Sequence, residues 1–129
     1  VVSYDLVNRG YGEVQNFFEL LMPPFDGEFA IITNPPYKIA LEFVLHALEL
    51  VPEGCYVCMF VKTTFLEGKR RYSELFRSQP PYMVLQFIER IICAKNGDFD
   101  EARKIGSAVS YCWMIWKKGY GGKTIIDWI

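Results

Sequence analysis

Phe29-Ala30-Ile31-Ile32-Thr33 runs directly into Asn34-Pro35-Pro36-Tyr37, which runs into residues 38–51, KIALEFVLHALELV. The first five residues form a short, continuous apolar run rich in β-branched side chains, as expected of a strand covered on both faces. The segment after Tyr37 places Ile39, Phe43, His46, Ala47 and Leu50 along one helical face. Pro52-Glu53-Gly54 stops that helix, and residues 55–61, CYVCMFV, read as the next strand. Strand, helix, strand is the repeating unit of a parallel α/β sheet. The fold class expected is therefore α/β with a mostly parallel sheet.

Working outward in both directions, residues 1–7 (VVSYDLV) read as a strand that exits at Asp5, with a turn over Asn8-Arg9-Gly10-Tyr11-Gly12. Residues 13–18 suit a second short strand, and Pro23-Pro24-Phe25-Asp26-Gly27 a loop. Beyond residue 61, Thr63 to Gly68 reads as a loop and residues 69–77 as a basic amphipathic helix that ends before Gln79-Pro80-Pro81. Residues 82–92 and 108–117 are two long apolar strands joined by a polar segment containing Lys95-Asn96-Gly97-Asp98. No crossover helix separates them, so they are expected to close the sheet as a C-terminal antiparallel hairpin. The chain opens on Val1-Val2, already inside an apolar strand, and is read as a piece of a longer protein.

With 129 residues the chain is one domain, and 51% hydrophobic against 22% charged residues is ordinary globular composition. A formal net charge of −1 gives no global field toward nucleic acid, so any such contact must be a local basic patch or come from a partner. Cys55, Cys58, Cys93 and Cys112 all sit among apolar residues. Cys55 and Cys58 resemble a zinc knuckle in spacing, but residues three apart on a strand point to opposite faces and cannot grip one ion. All four read as buried free thiols and no metal is expected, which suits a reducing cytoplasm. No apolar run is long enough to cross a bilayer. His46 lies on an apolar helix face and reads as structural.

Asn34-Pro35-Pro36-Tyr37 carries the chemistry. It falls at the carboxyl end of a strand and opens a helix, which is where open α/β sheets bind ligands. An aromatic amine is a poor nucleophile because its lone pair is delocalised into the ring. The Asn34 side-chain oxygen and the Pro35 carbonyl are both acceptors, and proline has no N–H to compete. Together they can take the two amine hydrogens, localise the lone pair and stabilise the positive charge that grows on nitrogen. Pro36 stiffens the turn, and the Tyr37 ring can stack on a base drawn out of its helix. The plain alternative is a Pro-Pro turn that only ends a strand.

This tetrapeptide resembles the Asn/Asp-Pro-Pro-Tyr/Phe signature of S-adenosylmethionine-dependent amino-methyltransferases, chiefly those that methylate the exocyclic amine of adenine in DNA. The resemblance implies a Rossmann-like methyltransferase fold, here partial, with S-adenosylmethionine as cofactor and DNA as partner. It implies further roles, each with a bland counterpart. Asp5 matches the acidic residue that holds the cofactor ribose hydroxyls, or is a solvated strand end. Asn16-Phe17 is similar to an Asp-Phe pair that meets the cofactor adenine, with Asn in place of the acid, or belongs to loop and core. Lys69, Arg70 and Arg71 follow a loop that borders the target pocket and can touch phosphates, or start a solvated helix. Tyr111, Trp113 and Trp116 fall where the family places an aromatic against the flipped base. Alternation puts Tyr111 and Trp113 on one face, and Trp113 is taken for stacking and Trp116 for the core.

One family motif is missing. No Gly-rich loop precedes the strand bearing Asp5, and Gly10-Tyr11-Gly12 follows it instead. In the complete family fold the first strand lies at the sheet centre, between the second and the fourth. Without it, those two strands pair directly or an edge is left open. A homodimer or a further N-terminal segment would complete the sheet, and cofactor binding by the chain alone is expected to be weak. The same tetrapeptide also serves methylation of protein glutamine or RNA adenine, and an inactive, methyltransferase-like binding subunit is the third reading.

Overall fold

A computed structural model describes residues 1–23, 25–92 and 108–129. Pro24, Cys93 and the Lys95–Asp98 segment read above lie outside the described residues. The described chain is α/β, with two sheets. Strands β1 (Tyr4–Asp5) and β2 (Glu13–Val14) form a small parallel ladder, Tyr4 opposite Glu13 and Asp5 opposite Val14. Five strands make the main sheet: β3 (Ile31–Thr33), β4 (Tyr56–Lys62), β5 (Met83–Gln86), β6 (Tyr111–Lys117) and β7 (Ile125–Trp128). Their spatial order is β3-β4-β6-β5-β7.

The sheet is mixed rather than mostly parallel in its pairings. β3 with β4 and β5 with β7 are parallel, whereas β6 is antiparallel to both β4 and β5. Four strands thus run one way and β6 alone runs back between them. The expected antiparallel pairing of β5 with β6 is present, Met83 opposite Ile115 and Gln86 opposite Cys112. The sequence reading missed β7, which extends the sheet beyond β5. It also made the first strand too long, since only Tyr4–Asp5 of residues 1–7 is extended in a ladder.

Helix α1 (Ala40–Leu50) is built of Ala, Leu and Glu, all good helix formers. A 3₁₀ turn, Tyr37–Ile39, leads into it. Pro52 forces Val51 out of the helical region, to φ −71° and ψ 145°, and the helix stops there. Lys118 caps the end, its ammonium donating to the carbonyls of Val51 at 2.8 Å and Glu49 at 3.2 Å. The core-facing stripe is Ala40, Leu41, Val44, Ala47 and Leu48, rotated from the stripe expected. Ile39 is exposed, while Phe43 and His46 form a second apolar face that receives the 3₁₀ turn Phe17–Glu19. A third 3₁₀ turn, Thr63–Leu66, follows β4, and the basic helix is a single α turn, α2 (Lys69–Arg71), continued by a π turn at Tyr72–Phe76.

Among the described residues, helices cover one face of the main sheet only. Val57, Met59 and Val61 of β4 and Cys112, Met114 and Trp116 of β6 are buried on that face with Leu75, Val44 and Leu48. The other face carries Cys58, Phe60 and Lys62 of β4 with Trp113 and Ile115 of β6, all half-buried. The period-2 alternation of β4 is therefore that of a strand covered on one side. β3 likewise departs from the doubly covered strand expected: Ile32 is 69% exposed, and β3 forms an open edge of the sheet. β1 and β2 lie in a sheet of their own and do not pair with β3 among the described residues. Among the described residues no helix is long and apolar enough to cross a membrane.

Candidate functional site

Parallel pairing aligns carboxyl ends, and this brings two sets of residues to two strand ends. In the small ladder, Asp5 closes β1 and Asn16 stands two residues beyond β2. In the main sheet, Asn34 follows β3 as Lys62 and Thr63 close β4. The strand alternation continues through the tetrapeptide: Asn34 is exposed, Pro35 is fully buried, and Pro36 is exposed. The Pro36 carbonyl is taken by the Ile39 N–H at 3.0 Å, closing the first turn. Neither the Asn34 amide nor the Pro35 carbonyl has a hydrogen-bond partner among the described residues. The two acceptors on which the amine chemistry depends are thus uncommitted, and the Asn34 side chain faces solvent.

Tyr37 begins an aromatic row. Its ring centre lies 5.8 Å from that of Tyr111, which stacks on Phe60 at 5.2 Å and 10°. Phe60 in turn meets Trp113 edge-on at 5.4 Å. Tyr111 and Trp113 share a face as alternation required, but Tyr111 is the ring beside Tyr37, and Trp113 stands two rings further along. Trp116 is on the opposite face, 1% exposed, with its indole N–H donating to the Gln79 carbonyl at 3.2 Å. That is the core role read for it.

A small cleft, open to solvent, lies beside Tyr37. Lys62, Thr64, Phe65 and Arg71 line it with Tyr37, along with buried Ala40 and Val61. The Lys62 ammonium stands 5.2 Å from the centre of the Tyr37 ring. The Arg71 guanidinium lies over Phe65 at 5.1 Å and donates to the carbonyls of Thr64 and Glu67. Its Nε is buried without a partner. Sequence reasoning named Tyr111 among three aromatics but took Trp113 for stacking, and it gave Lys62 no role of its own; the register of β4 against β6, with Lys62 opposite Tyr111, is what joins both to Tyr37.

The three basic residues of the loop separate in role. Arg70 is spent on Glu42 at 2.8 Å and Glu74 at 2.9 Å, and those hydrogen bonds raise its pKa, Glu74 first. Glu42 is correspondingly held below the usual carboxylate range, by its own backbone N–H and then by Arg70. Lys69 is exposed and does not line the cleft; of the three, only Arg71 does.

The residues read for the cofactor are engaged locally. The Asp5 carboxylate accepts from the Val7 N–H at 3.0 Å and from Arg9 Nε at 2.9 Å, in that order the causes of its lowered pKa. It remains solvent-facing, so a diol can compete for it. The Asn16 side chain caps the turn Phe17–Glu19, accepting from the Phe18 N–H at 3.1 Å. One face of Phe17 is stacked on Phe43 at 4.9 Å, and the edge of His46 meets Phe17 at 5.0 Å. His46 Nε2 sits 3.0 Å from the Phe17 carbonyl, so this histidine fastens the turn to α1. Cys55, Cys58 and Cys112 are free thiols; Cys58 is half-buried rather than buried, because it faces the uncovered side of the sheet.

A comparison of the chain with protein-family models gives no match, and neither does one with curated proteins.

Proposed function

We propose that this chain is the catalytic part of an S-adenosylmethionine-dependent methyltransferase that acts on the exocyclic amine of adenine in DNA. One observation carries the reading: among the described residues the exposed Asn34 amide and the carbonyl of buried Pro35 have no hydrogen-bond partner at the carboxyl end of β3, in the turn that leads into Tyr37, and Tyr37 lines the cleft. The Asn34 oxygen and Pro35 carbonyl accept the two amine hydrogens and localise the lone pair on nitrogen, away from the ring. Tyr37 supplies the stacking face for the base, and the Tyr111–Phe60 stack supports Tyr37 from the sheet. No base is required beforehand, since the amine sheds its proton after transfer.

S-adenosylmethionine, when bound, supplies an electrophilic methyl group on a sulfonium. Of the residues present, Asp5 fits its ribose hydroxyls in exchange for Arg9, and Asn16 stands at the same end of the ladder. The Phe17 ring offers it less, with one face already packed on Phe43. The open β3 edge is the surface on which a second copy or a further segment would complete the sheet, and the free thiols suit the cytoplasm. Flat aromatic surroundings favour a base over the glutamine amide that the same tetrapeptide can serve.

A labelled-methyl transfer assay at saturating cofactor, on adenine-containing DNA, RNA and protein, tests the reading. The expected result is transfer to DNA that Asn34→Ala lowers by roughly 10²-fold or more. Transfer to none of the three, or transfer indifferent to Asn34→Ala, overturns it.

A further inference from the structure

The cleft beside Tyr37 is lined by two cations, Lys62 and Arg71, and by no carboxylate, in a chain whose net charge is −1. Its other walls are the rings of Tyr37 and Phe65. Positive charge beside flat aromatic walls suits a ligand that joins an anion to a planar ring. The two cations are held differently. Arg71 is folded back over Phe65 because Gly68 has φ +130° and no Cβ; a Cβ there would come within 2.9 Å of the guanidinium. One terminal nitrogen serves the carbonyls of Thr64 and Glu67, and the buried Nε has no partner among the described residues. Lys62 rests near the Tyr37 ring on a flexible stem, so a base arriving on that ring frees the ammonium to turn to a nearby anion.

We infer that the cleft takes the methyl acceptor as a nucleotide, its ring on Tyr37 and its phosphate between Lys62 and Arg71. The inference rests on the methyltransferase reading and narrows its acceptor to nucleic acid, setting aside a protein amide. It also assigns phosphate contact to Lys62 and Arg71 and removes it from Lys69 and Arg70. Arg70 is neutralised by Glu42 and Glu74, and Lys69 is not in the cleft.

Titrations of the full chain with deoxyadenosine monophosphate, deoxyadenosine and inorganic phosphate, followed through the Tyr37 ring signals by NMR, test it. The nucleotide is expected to bind about tenfold tighter than either half, as a charge-assisted hydrogen bond allows. Lys62→Gln should reduce it to the nucleoside's affinity, and Lys69→Gln should leave it unchanged. Equal binding of nucleoside and nucleotide at Tyr37 overturns the phosphate assignment while leaving the methyltransferase reading standing. Phosphate alone binding as tightly as the nucleotide overturns the assignment too, marking a plain anion site. A loss seen with Lys69→Gln and not with Lys62→Gln also overturns it. No response of Tyr37 to any probe sinks both the inference and the reading beneath it.

Discussion

Thr63 and Gln86 are hydrogen-bonded side chain to side chain at 3.0 Å, although the strands they end, β4 and β5, are separated by β6. Gln86 lies opposite Cys112, and its side chain reaches past the start of β6 at Tyr111 to Thr63, which follows Lys62. Ser110, the residue before Tyr111, stands 3.1 Å from both the Thr63 hydroxyl and Gln86 Nε2. With each hydroxyl donating once, the three side chains close a ring: Gln86 donates to Ser110, Ser110 to Thr63, and Thr63 to the Gln86 oxygen. The Gln86 amide also reaches the Tyr111 carbonyl at 3.0 Å, so the ring fixes the ring-bearing residue that supports Tyr37.

Breaking that ring should cost more than its exposure suggests. Gln86→Leu is expected to lower stability by about 1–3 kcal/mol, since Thr63 and Ser110 lose their partner in a half-buried place. Urea unfolding measures it, and the double variant Gln86→Leu/Thr63→Val should recover part of the loss. A strictly additive double variant would show that the side chains act separately.

Gly68→Ala tests the fold-back of Arg71. A methyl group at φ +130° is strained, and it meets the Arg71 side chain. The expected cost is about 1–3 kcal/mol in denaturant unfolding, with displacement of Arg71 from Phe65. Arg71→Ala in the same background should remove the steric part and leave the backbone part.

Alkaline stability follows from Cys112. Burial pushes its thiol up to about 11 from an ordinary value near 9, against a smaller lowering by Thr63. The raised native value means that the unfolded chain loses its proton first as pH rises. Stability from this thiol is complete below about pH 9 and is lost progressively toward about pH 11. Unfolding midpoints measured across that window should fall less steeply in Cys112→Ala than in the parent chain. Identical slopes would contradict a buried, neutral thiol.

Calorimetry with S-adenosylmethionine checks the cofactor expectation. Asp5 must first release Arg9. Affinity is expected to be no tighter than roughly 0.1 mM, about 5.5 kcal/mol of binding. Tight one-to-one binding by a monomer runs against this, and Asp5→Asn should weaken whatever binding is seen.

Local patterning carried the α/β class, the position of α1 and the pairing of β5 with β6, because those depend on periodicity and on Pro52. The direction of β6 between two same-running strands was out of reach, since it is decided by contacts such as Tyr56 with Lys117, far apart in the chain. β7 was missed because residues 125–128 follow a turn-rich stretch and are exposed along their length. At the site, the tetrapeptide was legible because its residues are consecutive. Tyr111 was legible as one of three aromatics but not as the ring beside Tyr37, and Lys62 had no role of its own, since only the β4–β6 register brings them to Tyr37. Arg70 misled for a related reason: a sequence shows a cation but not the two carboxylates that neutralise it.

The reversed strand has a consequence for how the molecule comes into being. Among the described residues the backbones of β4 and β5 are joined only through β6, residues 111–117, and β7 pairs only with β5. A chain emerging from the ribosome therefore carries the β3–β4 pair and the separate strand β5, which must wait with their edges bare until Lys117 is made, and β7 follows later still. Such late, distant pairing is slow, and the waiting interval is when this protein is most exposed to chaperones and to its own neighbours.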